Sequence, residues 1–166
     1  AAGGTQCWVT LVRDGAAREH AGTDPSKQRG DSELGGVFLA SGRGLFALEY
    51  GRAEITRREF RGAMDNVFQS IDLMIKPVYA KLNPTVRAFN AMCAKEGGLD
   101  SLITYTAPDD ITGQPTITLP AGFDTNGSPL SLQLVGRHFE EALLCRAGRV
   151  WQNEINWSQS RPPLAP

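Results

Sequence analysis

Residues 106–137, TAPDDITGQPTITLPAGFDTNGSPLSLQLVGR, constrain the fold more than any other part of the chain. Thr112-Gly113-Gln114-Pro115 breaks whatever regular element precedes it. Thr116-Ile117-Thr118-Leu119 is β-branched and alternating, which suits a strand. Pro120 has no amide hydrogen, so it must end that strand or lie on a sheet edge. Asn126-Gly127 is the strongest short hairpin signal in the chain, because both residues tolerate positive φ. Ser131 to Gly136 alternates again, with Leu132 and Leu134 on one face. The stretch reads as loop, strand, turn, strand, and pairing the two strands gives an antiparallel hairpin.

Helices are expected on either side. In 45–70, Phe60, Met64, Val67, Phe68 and Ile71 recur on one face of a 3.6-residue period. Glu54, Arg57, Arg58, Glu59, Arg61 and Asp65 form the opposite, solvated face. Residues 71–77 then read as a short buried strand ending at Pro77, with Asp72 fixing its start. Tyr79, Leu82, Val86, Phe89 and Met92 suggest an amphipathic stretch, with Pro84 near a helix start and Gly97-Gly98 as its stop. A last helix spans 140–155, with Leu143, Leu144, Ala147, Val150 and Trp151 as its apolar face. A polar tail with Pro162, Pro163 and Pro166 follows. Residues 1–4 read as a loop or a cloning remnant, and Cys7 to Arg13 fits strand or helix equally. The fold class expected is α/β, with helices flanking the strands.

Charge and cysteine usage narrow the function. The chain has 166 residues and a net charge of −1, so one domain is expected and no nucleic-acid or membrane partner. It contains no apolar run long enough to span a bilayer and no basic-then-apolar leader. It begins at Ala1 rather than Met, which leaves room for an upstream segment. Cys7, Cys93 and Cys145 read as reduced, mostly buried thiols of a cytoplasmic protein. His20 and His138 with these cysteines give no zinc spacing, and no phosphate-binding glycine motif is present. No metal or cofactor is expected. Ser26 beside Lys27 lies on a polar loop, where adjacent residues do not converge on one substrate. Asp109-Asp110 is a carboxylate pair before Gly113 that could suggest a metal.

Gly113, Pro115, Pro120, Gly122, Pro129, Gln133, Leu134, Val135, Gly136 and Arg137 carry a resemblance to the C-terminal part of the amidase signature family. There a G-x-P-x-x-x-x-P-x-G run precedes a turn and a Q-L-V-G-R strand. The match continues into Phe139-Glu140. It also takes in His20-Ala21, the helix residues Tyr50, Ala53, Arg57 and Phe60, and the spacing from Asp72 to Pro77. It covers residues 19–163, leaving 1–18 uncertain, and implies a single partial amidase-like domain with the family's mixed sheet. In this light Gly113, Pro115, Pro120, Gly122, Gln133, Gly136 and Arg137 are structural residues. Gly122 and Gly136 are expected to hold special backbone angles.

The resemblance implies an enzyme that hydrolyses a small amide to a carboxylic acid plus ammonia or an amine. Such enzymes use a nucleophilic serine, a second serine and a lysine, carried in a Ser/Gly-rich segment of the domain's N-terminal half. This chain has no Ser-Ser pair and no such segment, so no catalytic residue can be carried over. The region 78–105 covers the substrate in the family, which makes Tyr79, Phe89 and Met92 the candidates for pocket lining. Three functions follow. The chain is the C-terminal portion of an amidase, inactive alone. Or it is a non-catalytic subunit or fragment binding a partner with the catalytic half. Or it is an amidotransferase A-type subunit.

Overall fold

The computed structural model describes residues 2–19, 46–79, 84–95 and 102–160. Their elements are α1 (Ala2–Glu19), α2 (Ala47–Val67), β1 (Leu73–Pro77), α3 (Val86–Cys93), α4 (Ala107–Thr112), β2 (Thr116–Phe123), β3 (Pro129–Gly136) and α5 (Glu141–Ile155). A 3₁₀ turn, Trp157–Gln159, follows. The chain is α/β: a three-stranded antiparallel sheet of order β1-β3-β2 with helices around it.

The expected hairpin is β2–β3, and β2 is longer than its sequence pattern. It runs past Pro120 to Phe123 because a register shift between Pro120 and Gly122 absorbs the proline. β2 is also an edge strand, where the missing amide hydrogen is tolerated. Gly122 sits at φ 109°, as expected of a glycine with a special angle. The turn differs from expectation. Gly127 alone adopts positive φ, at 78°, and Asn126 does not. Asp124 closes the loop instead: its Oδ1 accepts from Asn126 N and Ser128 N, both at 2.8 Å. An Asp at this position replaces part of the backbone turn with side-chain hydrogen bonds.

Register assigns the sheet's two faces. Directly paired residues share a face, so Leu73, Ile75, Ile117, Leu119, Leu132, Leu134 and Gly136 lie together. Leu119, Leu134 and Leu144 of α5 are the buried centre of this side, with Ile117, Leu132, Ala147 and Trp151 packed around them. Burying three leucines contributes about 1.5–3 kcal/mol each. Gly148 lets α5 approach closely: a Cβ there would lie 3.1 Å from Ile117 Cδ1. Trp151 Nε1 donates to Pro120 O at 2.7 Å, and the Trp157 ring stacks on Phe123 at 4.9 Å. Val150, assigned to the apolar face of α5, is exposed.

A second cluster joins α1, α2 and α4 through Cys7, Ala53 and Ile111, with Trp8, Leu11 and Phe60 against it. This resolves Cys7 to Arg13 as helix, and residues 2–4, expected to be loop, begin it. It also shifts the role of α2, which packs chiefly on α1 and α4 through Ala53 rather than flat on the hairpin. Phe68 is buried just beyond α2, but Val67 is exposed. Residues 106–112, expected as loop, include α4. Pro108 near its start and Asp109 and Asp110 in its first turn favour the helix, and Gly113 ends it at φ 79°.

Two further expectations are corrected. The 71–77 segment is a strand but not a buried one: it lies at a sheet edge, and Ile75 is 65% exposed. Of the three cysteines, Cys7 alone is buried; Cys93 is half-buried and Cys145 exposed. Thr85 caps α3, its hydroxyl accepting from Ala88 N at 3.2 Å, and the helix ends at Cys93. Pro84 precedes that cap. Leu82, the proposed stop Gly97-Gly98, His20, Ser26, Lys27 and the proline tail lie outside the described residues.

Candidate functional site

Four of the signature residues, Gly113, Pro115, Gly136 and Arg137, gather at the end of the sheet away from the hairpin turn. Gly136 N donates to Pro115 O at 3.0 Å, which ties the start of β2 to the end of β3. Gly136 has no positive φ, contrary to expectation. Its constraint is steric, because a Cβ there would lie 3.2 Å from Leu144 Cγ. Arg137 follows and clamps the α2–β1 link. Its Nε donates to Phe68 O, and its Nη2 donates to Ile71 O and Asp72 Oδ1, all at 2.9 Å. Glu140 lies 3.5 Å from Nη1. The hydrogen bond to Asp72 holds the guanidinium pKa above its ordinary value. Asp72 therefore fixes the start of β1, as expected, with Arg137 as its partner.

The sheet's other face is polar at its middle. Lys76, Gln133 and Thr118 face the same side across the three strands. Lys76 makes an ion pair with Asp109 of α4, and their side chains are 12% and 2% exposed. Burial pushes the Asp109 carboxyl above its ordinary value, Lys76 pulls it back, and Asp110 adds a smaller push upward. Asp110, the other half of the acidic pair, accepts from Trp8 Nε1 at 2.9 Å. The acidic pair thus splits between two structural partners. Gln133 is buried, and its Oε1 has no hydrogen-bond partner among the described residues.

A concavity of about 450 Å³ opens beside this end, lined by Asp65, Phe68, Gln69, Gln114, Arg137 and His138. His138 Nε2 is 3.8 Å from Asp65 Oδ1. The sequence pattern does not bring Gln114, His138 and Asp65 together, because they come from three distant stretches. The signal that could find them is the pair of runs Gly113-Gln114 and Arg137-His138, which flank the joined ends of the two strands, where a Cβ on Gly113 would lie 3.7 Å from His138 Cε1.

The pocket-lining candidates lie elsewhere. Tyr79 is 58% exposed, Phe89 is 38% exposed and Met92 is half-buried, and none lines the concavity. α3, which carries Phe89 and Met92, has no buried residue. Among the described residues no cluster of three or more His, Cys, Asp or Glu side chains could hold a metal ion. Among them, too, no helix is long and apolar enough to cross a membrane.

A family model described as Amidase matches residues 35–145. The AmiD protein of Mycobacterium tuberculosis (strain ATCC 25618 / H37Rv) is 32% identical over 145 residues, covering 87% of this chain and 30% of its own length. The A-type subunit of the glutamyl-tRNA(Gln) amidotransferase of Chloroflexus aggregans is 34% identical over 137 residues, covering 80% of this chain and 26% of its own. Among solved structures, 6-aminohexanoate cyclic dimer hydrolase complexed with substrate superposes with a TM-score of 0.77. It is 19% identical and covers 96% of this chain and 36% of that one. The chain spans about a third of the length of the relatives it matches.

Proposed function

This chain belongs to the amidase family, and on that premise we propose that it is the C-terminal portion of an amidase-signature amidohydrolase. The complete enzyme converts a small amide to a carboxylic acid plus ammonia or an amine. The observation that carries the reading is the Gly113–Arg137 segment. Of the residues quoted for the resemblance, Pro120, Gly122, Pro129, Gln133, Leu134, Val135 and Gly136 lie on the paired strands β2 and β3, with Arg137 fixed at their end.

The catalytic serines and lysine are supplied by the remaining part of the domain, in a longer chain or in a partner protein. This portion contributes scaffold and part of the substrate surface, with Tyr79, Phe89 and Met92 facing the substrate once that part is in place. The protein works in the cytoplasm.

A second reading is favoured by the similarity to the amidotransferase of Chloroflexus aggregans. In it the chain acts as part of an amidotransferase A-type subunit. A pull-down with a glutaminase-type or tRNA partner tests that reading.

The primary test is amide hydrolysis by the purified, mass-verified 166-residue protein, across aliphatic and aromatic amides. No turnover is expected from it alone. Turnover is expected when the Ser/Ser/Lys-bearing portion is produced in the same cell. Turnover by the isolated chain, blocked by a serine-directed covalent inhibitor, would overturn the reading.

A further inference from the structure

We propose that an apolar shelf over β1 is the seam where the rest of the amidase domain docks on this chain, through an amphipathic helix laid beside α5. The inference rests on the reading of the chain as one portion of that domain, and adds where the portions meet.

The shelf follows from the width of a helix. Neighbouring strands lie about 4.8 Å apart, and a helix with its side chains is about 10 Å across. One helix therefore roofs about two strands. α5 roofs β2 and β3. β1 is the third strand, and its apolar side chains run out from under the helix. Ile117, Leu134 and Ile75 form one row on the shared face. Leu134, in the middle, is 5% exposed, whereas Ile75 is 65% exposed. The next row, Leu119, Leu132 and Pro77, repeats the gradient: Leu119 is buried and Pro77 exposed.

α5 is apolar on the matching side. Gly148 faces β2, where a Cβ would meet Ile117 and Leu119, and Leu144 meets Gly136 of β3. At about 100° per residue, the side of α5 away from β2 carries Leu143, Ala147 and Val150. The β2 side carries Glu141, Cys145 and Gln152, all exposed. From Gly148 round to Val150 the apolar stripe spans about 160°, wider than the roughly 100° that a helix covering one sheet needs. Val150, at its outer limit, is 62% exposed. Floor and wall thus meet in an apolar angle that the described residues leave open. Contiguous apolar surface of this kind marks an interaction site.

The length of chain outside this unit names the occupant. The chain accounts for 30% of AmiD and for 36% of the hydrolase on which it superposes. In a domain of that size the remainder needs a broad surface to pack on. The β2 side of α5 is polar, and the β1 side is not. A helix set about 8–10 Å from α5 would cover Ile75 and Pro77 below it and Val150 beside it.

The test pairs the 166-residue protein with the part of the Mycobacterium tuberculosis AmiD protein that it does not match. The two are produced in the same cell and analysed by size-exclusion chromatography with light scattering. A one-to-one complex is expected. Ile75→Lys and Val150→Lys should each weaken it by about tenfold or more, whereas Gln152→Lys on the polar side should leave it unchanged. All three positions are exposed, so the isolated variants should keep the circular dichroism of the parent. Absence of a complex, equal weakening by Gln152→Lys, or a complex indifferent to both shelf variants would each overturn the proposal. So would a dimer of the 166-residue protein that Ile75→Lys dissolves, because a second copy would then be the occupant. Amide turnover by the same mixtures separates this inference from the amidase reading. Turnover that survives both shelf variants overturns the seam alone, and a shelf-dependent complex without turnover counts against the amidohydrolase reading alone.

Discussion

Lys76 of β1 and Asp109 of α4 form an ion pair that joins the polar face of the sheet to the helical cluster, with both side chains nearly closed off from water. Such a pair contributes little net stability when whole and costs much when halved, because the survivor is a buried, uncompensated charge. Lys76→Met should therefore cost about 3–5 kcal/mol, and Lys76→Met with Asp109→Leu should recover most of that loss. Urea unfolding of the two single variants and the double variant checks it. A double variant no more stable than Lys76→Met would refute the coupling.

Asp109 also gives stability a pH dependence of defined sign. Its folded pKa is raised, with burial as the largest cause. Between the ordinary carboxyl value of 3.8 and that raised value, the folded chain binds a proton that the unfolded chain releases. The unfolded state binds fewer protons there, so this carboxyl's contribution to stability falls as pH rises through the window. The difference in unfolding free energy between the protein and Asp109→Asn, followed upward from pH 3.8, should shrink accordingly. A difference that grows with pH would show that the Lys76 attraction outweighs burial.

The two signature glycines should fail for different reasons. Gly136→Val drives a side chain into Leu144, an overpacking that costs about 1–3 kcal/mol. Leu144→Ala alone should cost about 2–5 kcal/mol, and the double variant should cost less than the sum. A Cβ at Gly122 would meet no atom within 4 Å, but Gly122→Val inherits a φ of 109°, a backbone strain of about 1–3 kcal/mol. No second-site cavity should relieve it. Thermal midpoints of all four variants separate crowding from strain.

Asp124→Ala removes both side-chain hydrogen bonds of the turn. The expected loss is about 1 kcal/mol. The β2–β3 register should persist, because it is also fixed by the Leu119–Leu132 and Ile117–Leu134 pairs. Retained cross-strand nuclear Overhauser contacts at those pairs, with a lowered midpoint, would bear this out.

The hairpin is legible in the sequence because its information is local: alternation in 131–136 and the turn residues 124–127 act over a few positions. α4 escapes the pattern although Pro108 and the two aspartates mark a helix start, because the breaker at Gly113 leaves it a single short run. Ile75 reads as buried because an apolar run looks alike at a sheet centre and at an edge. Lys76 and Asp109 are separated by the whole of α3, and no periodicity links them. The concavity draws on Asp65, Gln114 and His138, which only strand pairing and the Arg137 clamp bring near one another.

The Pro120 irregularity gives the sheet a direction. On the β2 margin the proline offers no amide hydrogen, its carbonyl is occupied by Trp151, and the strand is kinked beside it. A hydrogen-bonded ribbon cannot propagate past such a margin. Among the described residues, the β1 margin has no equivalent block until Pro77 at its far end. Among the described residues, lengthening of this sheet is therefore favoured outward from β1 over outward from β2 past Pro120.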